Sequence, residues 1–194
     1  MLGIKILFCL IAIPLSQATQ CSKTCPNITV KPVDFEKMSG PWYEYQRSSN
    51  NYDGSDKCPK LVWSKPVKCI SKLVYKSVSN LTNVTSTMIS QVVSNKQGTG
   101  FTYHLPIYGN LFKEHLIIAT DYKSYAVVYT CEKRGSNIVE LGWVFTRKMS
   151  PPCDIEDIVQ EAFDNYNLKV PEMVTNDLES CSCVFCSYKF PEML

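Results

Sequence analysis

Several things are scarce in these 194 residues, and each scarcity closes a route. Histidine occurs twice, as His104 and His115, and neither lies in a hydrolase motif. A serine triad needs nucleophile, imidazole and acid within reach of one another, and two isolated histidines give no such constellation. No apolar run is long enough to cross a bilayer, which needs about 20 residues. Net charge is only +2, and the lysines and arginines are scattered along the chain rather than clustered. That gives no argument for a nucleic-acid partner. Internal repeats and low-complexity linkers are absent.

What is present begins with a leader. Lys5 supplies a positive start, Ile6 to Leu15 an apolar core, and Ser16-Gln17-Ala18 small residues for cleavage. This pattern reads as a secretory signal peptide over residues 1–18. The expected mature chain, 19–194, has a length that suits one domain, with a cysteine-rich tail over about 182–194. It carries nine cysteines: Cys21, Cys25, Cys58, Cys69, Cys131, Cys153, Cys181, Cys183 and Cys186. In a secreted chain that many imply disulfides, and an odd number leaves one thiol free or bridged to another molecule. Cys181-x-Cys183-x-x-Cys186 has a metal-like spacing, but export and the lack of a nearby histidine favour bridges. No metal and no resident cofactor are expected. Sequons at Asn27, Asn80 and Asn83 are expected on exposed loops or strand ends.

Turn signals cut the chain into short β-rich pieces: Trp42–Arg47, Leu61–Ser64, Val67–Ser77, Val84–Val93, Phe101–Leu105, His115–Thr120, Tyr125–Cys131 and Ile138–Thr146. Eight strands with hairpin-length links predict an all-β, up-and-down antiparallel barrel, wide enough for one small ligand. One segment breaks the pattern. After Asp154, a candidate cap, residues Ile155, Ile158, Val159, Ala162, Phe163 and Tyr166 follow helical spacing. They predict a C-terminal helix packed outside the barrel.

Three short motifs stand in order: Gly40-Pro41-Trp42, Thr120-Asp121-Tyr122, and Arg147 at the end of the last long strand. Glycine allows a tight entry turn, tryptophan can plug a barrel end, and arginine can lie across the indole. Together they resemble the lipocalin family, over roughly residues 25–181. Cys25-Pro26-Asn27, Trp42-Tyr43-Glu44, Ala119-Thr-Asp-Tyr122 and Val174–Cys181 are most similar to its apolipoprotein D and insect bilin-binding group. The resemblance implies bridges Cys25–Cys131 and Cys58–Cys181. It also implies that Gly40, Trp42, Thr120, Asp121, Tyr122 and Arg147 close the barrel base. Cys69–Cys153 is an attractive further pair, since both are expected near the closed end. Cys183 competes with Cys181 for Cys58, and the tail pairing stays open.

Strand alternation places Glu44 and Gln46 on the face of Trp42. In the lipocalin register the cup is lined by Tyr103, His115, Ile117, Ala126, Val128, Leu141 and Trp143, with Phe101 a further inward candidate. Such a cup suits a small hydrophobic ligand: a lipid, bilin, retinoid or carotenoid. The expected protein is a secreted, non-membrane-spanning carrier and not an enzyme. Two other readings remain. One is an interaction protein with a filled cup, forming disulfide-linked or non-covalent oligomers. The other is a thiol isomerase using Cys69, if that thiol is free and inward.

Overall fold

In the computed structural model, residues 24–50, 56–105, 109–110 and 114–181 are described. The leader, Cys21, Cys183, Cys186 and the rest of the tail lie outside them. The strands are β1 (Gly40–Ser48), β2 (Lys57–Trp63), β3 (Ile70–Val78), β4 (Thr85–Ser94), β5 (Gly100–Leu105), β6 (Gly109–Asn110), β7 (His115–Thr120), β8 (Tyr125–Arg134), β9 (Asn137–Thr146) and β10 (Met173–Thr175). Helix α1 spans Ile155–Asp164.

Neighbouring strands pair antiparallel in the order β1-β2-β3-β4-β5-β7-β8-β9, and β9 returns to pair with β1. Eight strands therefore close on themselves as the alternation predicted, and no edge of the main sheet is left bare. β6 adds a short rung to β5, and β10 lies along β1 where β2 has parted from it. Most strand bounds fall within two residues of expectation, but β2 starts four residues before Leu61, β8 runs three past Cys131, and β3 starts three after Val67. The expected first residues of β3 instead form a turn, in which Lys68 and Cys69 take φ of 52° and 65°.

The inner residues form one core: Phe35, Met38, Trp42, Leu61, Trp63, Leu73, Val92, Phe101, Ile117, Ala126, Val128, Leu141, Trp143 and Phe145. A second core lies outside the barrel. There Ile155, Val159, Ala162 and Phe163 of α1 cover Ile118, Val127, Tyr129 and Val144. Gly142 makes this approach possible, because a Cβ there would stand 3.2 Å from the Phe163 ring. Asp154 precedes the helix but makes no side-chain cap hydrogen bond. The acidic first turn, Glu156 and Asp157, still suits the helix dipole.

Two disulfides tie the ends to the barrel. Cys25–Cys131 pins the N-terminal arm to β8, and Cys58–Cys181 pins the segment after β10 to β2, with Cα separations of 5.7 and 5.4 Å. Cys69 and Cys153 are exposed and free, so the expected bridge between them is not formed. Cys69 opens β3 and Cys153 follows β9, three strand positions apart around the barrel. At about 4.8 Å per strand that separation exceeds the roughly 7 Å Cα limit of a disulfide.

Candidate ligand-binding cup

The base of the barrel is built from the three motifs. The indole N–H of Trp42 donates to the Met38 carbonyl at 2.8 Å. The Arg147 guanidinium lies 3.7 Å above the indole ring. It donates to the carbonyls of Lys37, Pro41 and Tyr122 at 2.8–3.1 Å. Gly40 takes φ of +100°, and a Cβ there would come within 3.2 Å of that guanidinium. The Thr120 hydroxyl donates to the Tyr125 carbonyl, and Asp121 accepts the amides of Lys123, Ser124 and Tyr125. Burial raises the Asp121 pKa, but the Ser124 hydroxyl and these amides outweigh it and hold the carboxyl below its usual range. Burial pulls Arg147 down, partly offset by the charge of Asp121. Tyr122, at φ +65°, brings its hydroxyl to the Asp34 amide. Phe35 and Met38 complete the plug; both come from a turn with no strand period to reveal them.

Above the base, the chain brings all seven expected lining residues to the inner face. Ile117, Ala126, Val128 and Leu141 are at most 3% exposed and pack directly into the core. Higher up, the imidazole of His115 is fully buried in an aromatic box. Phe101 stacks on it at 5.3 Å, Tyr103 meets it edge-on at 4.8 Å, and Trp143 tilts across it at 5.3 Å. Trp63 closes on Phe101 from below at 5.3 Å. Trp63 and Leu61 share the Trp42 face; both lie on the expected strand Leu61–Ser64, whose four residues are too few to assign its inward face.

The upper wall is more polar than the sequence suggested. Glu44 faces inward as expected, but Gln46 does not. A bulge between them shifts the register, so that Gln46 points outward and donates to Glu156 of α1 at 2.8 Å. Arg47 takes the inward place opposite Trp143. Its guanidinium pairs with Glu44 at 3.2 Å, with both side chains about 5% exposed, and donates to Asn176 at 2.8 Å. Glu132 and Arg134 form a second ion pair near the far end of β8. Ser77 donates to Asp56 at 2.6 Å. Register also turns Tyr75 and Met88 inward as a directly opposed pair, and Val139 packs against the same core.

Cys69 is outside this cup. It sits exposed in the turn before β3, where its carbonyl accepts from Ser94. The thiol-isomerase reading, which needs an inward thiol, is thereby lost.

The description of the lipocalin and cytosolic fatty-acid binding protein family matches residues 39–177, most of the chain. The chain is a lipocalin. Apolipoprotein D of Macaca fascicularis is 30% identical over 66 residues, 34% of this chain and 35% of that protein. The matched stretch thus spans about a third of its length. Insecticyanin from the tobacco hornworm Manduca sexta superposes with TM-score 0.68 at 17% identity, over 82% of this chain and 89% of its own. Lobster apocrustacyanin A1 superposes with TM-score 0.59 at 16% identity, over 79% and 92%. At such identities these two establish the fold. Within this lipocalin, the aromatic box lies inside the barrel above the base, with the polar wall of Arg47 and Glu44 beside Trp143. Among the described residues, no helix is long and apolar enough to cross a membrane.

Proposed function

We propose that this lipocalin is a secreted carrier that holds one small amphipathic hydrophobe in the upper half of its barrel. The observation that carries the reading is the aromatic box of Phe101, Tyr103, His115 and Trp143, set below an inward wall of Tyr75, Met88 and Val139. Ile117, Ala126 and Val128 serve as the packed floor, and Leu141 packs beside the box. Flat or chain-like apolar cargo would lie on the box. The Glu44–Arg47 and Glu132–Arg134 pairs would meet its polar end. Lipids, bilins, retinoids and carotenoids all have that division.

Two disulfides support export, as do the exposed positions of Asn27, Asn80 and Asn83, which we assign as glycan acceptors. Burying apolar ligand surface contributes roughly 25 cal/mol per Å², which sustains affinity on the order of micromolar after association costs. Titration with fatty acids, retinoids, sterols and biliverdin should quench tryptophan emission. Trp143→Phe should remove most of the quenching, because Trp42 and Trp63 lie deeper. Solvent extraction of protein from its native fluid should release the cargo for mass spectrometry. An empty extract together with no quenching by any of the four ligand classes overturns the reading.

A second reading is favoured by the tightly packed floor and by the exposed thiols of Cys69 and Cys153. It is a disulfide-linked interaction protein whose cup is occupied by its own side chains. A dimer on a non-reducing gel, with no ligand uptake, would select it.

A further inference from the structure

The outer surface of the barrel is divided by charge. Residues 57–105, which form β2 to β5, carry seven lysines and no aspartate, glutamate or arginine. Residues 154–179, which form α1, β10 and their links, carry eight acidic residues and one lysine. Along the chain the lysines look scattered. Folding collects them, because alternate residues of adjacent strands share one face.

This basic wall is also aliphatic. On the outer face of the β3–β4 hairpin, Ile70 lies opposite Val93 at the end away from its turn, and Val74 opposite Ile89 midway along it. Val67 is 71% exposed, Ile89 53%, Ile70 41% and Val93 36%. Val67, Ile70 and Ile89, with Lys65 and Lys72, border a groove of about 460 Å³. Lys65, Lys68 and Lys72 are exposed around it. Helix α1 covers the opposite wall; the Glu179–Cys181 turn touches this one only at the Cys58 and Val78 end, away from the groove. Glu114, which accepts from Asn95, bounds it on the β7 side.

We propose that this bare wall docks the protein on an anionic lipid surface. Exposed aliphatic side chains set among lysines are the combination that binds such an interface. The apolar groups enter the headgroup boundary while the ammonium groups face anionic lipid. The lysines snorkel, so their stems add apolar contact around Ile70 and Ile89. A bare polyanion would use the lysines alone and leave the aliphatic groups without a role. Docking of a second copy would face lysines with lysines if the same wall were used twice. Asn80 and Asn83 lie at the turn of the hairpin, about 20 Å from Ile89 and about 30 Å from Val93 along β4 at 3.3 Å per residue, so glycans rooted there start well away from the groove. The inference is independent of the cargo reading, because the wall can dock with the cup empty.

The test is co-sedimentation of the full secreted protein with vesicles of phosphatidylcholine alone and with roughly 30% phosphatidylserine. Binding should require phosphatidylserine and weaken steeply between about 0.1 and 0.5 M salt. Replacing Lys65, Lys68 and Lys72 together with Gln should weaken binding on the order of 100-fold, about fivefold per lysine. Ile70→Ser with Ile89→Ser should weaken it by about tenfold or more. Both variants should melt like the parent, since the positions are on the surface. Three outcomes overturn the proposal. The first is absence of binding to the anionic vesicles. The second is binding that the lysine changes weaken but Ile70→Ser with Ile89→Ser leaves at parental strength, which marks a plain polyanion site. The third is a dimer in vesicle-free solution that either variant dissolves.

Discussion

The two walls of this barrel obey different rules although both are antiparallel sheet. The wall of β7, β8, β9 and β1 is buried on both faces, with the inner core behind it and α1 in front. The wall of β2 to β5 is buried on its inner face, with its outer face covered only where Leu178 and Cys181 meet Cys58 and Val78. On the first wall the strands read Ala-Val-Val-Tyr or Gly-Trp-Val-Phe, with little alternation, because both faces are apolar. On the second they read Ile-Ser-Lys-Leu-Val-Tyr-Lys, and most outward places, unlike Val78 beside Leu178, are free to serve another purpose. The lesson is that stability concentrates where two cores share a sheet. The single-faced wall keeps the freedom to carry charge and exposed aliphatic groups.

Cutting the outer core should produce the largest difference between the walls. Phe163→Ala should cost about 3–5 kcal/mol, because the ring is fully buried against Tyr129 and Gly142. Ile89→Ala on the bare wall should change stability by no more than about 0.5 kcal/mol. Paired denaturant melts measure both. Equal midpoint shifts would show that the helix adds no more to its wall than solvent does to the other.

Arg47 tests the seam where β1 leaves β2 and meets β10. Arg47→Ala would leave Glu44 buried without its guanidinium partner, at a cost of about 3–4 kcal/mol. The double change Arg47→Met with Glu44→Leu should recover most of that loss, since apolar pairs of similar volume replace buried ion pairs well. Recovery absent from the double variant's melt would mean that the pair's bonds to Asn176 matter more than the charge balance.

Much of the barrel was legible from residues, and the failures have local causes. Trp42, Asp121 and Arg147 announced the base because each carries a chemistry that few positions demand. Period-2 alternation announced the strands. The bulge after Glu44 was invisible: one inserted residue reverses every later side chain on β1, sending Gln46 out to Glu156 and Arg47 into the cup. Phe35 and Met38 were missed because a turn has no period. The pairing of Cys69 with Cys153 failed because closeness to one end of a barrel says nothing about position around its rim. The basic wall was missed because its lysines are spread over 40 residues, Lys57 to Lys96, and converge only through strand pairing.

The bridge Cys58–Cys181 fastens the acidic C-terminal segment to the first strand of the basic wall. Replacing both cysteines with serine should cost about 2–4 kcal/mol in a chain-entropy view. The loss should be larger than that of any single surface change on β2 to β5. Thermal melts under non-reducing conditions measure it. Unchanged melting would indicate that Leu178 and Val78, packed beside the bridge, hold the segment without it.

The smallest expected effect lies at the base, where the walls meet, and it depends on pH. Asp121 has a folded pKa below its ordinary value of 3.8, although burial alone would raise it. The hydrogen bonds from Ser124 and from the amides of Lys123 and Tyr125 favour the ionised form, and so does the nearby Arg147. A group with a depressed folded pKa contributes stability that is complete above its unfolded pKa. That contribution is lost as pH falls through the folded pKa. The parent should therefore lose stability below about pH 4 in a limb that Asp121→Asn lacks. The asparagine variant should be less stable at pH 7, and the gap should narrow as the parent's carboxyl takes up its proton. Chemical melts from pH 7 down to 2 measure the gap directly. A gap of constant size across that range would mean that Asp121 acts through its shape as a turn former and that its charge adds nothing to closing the barrel.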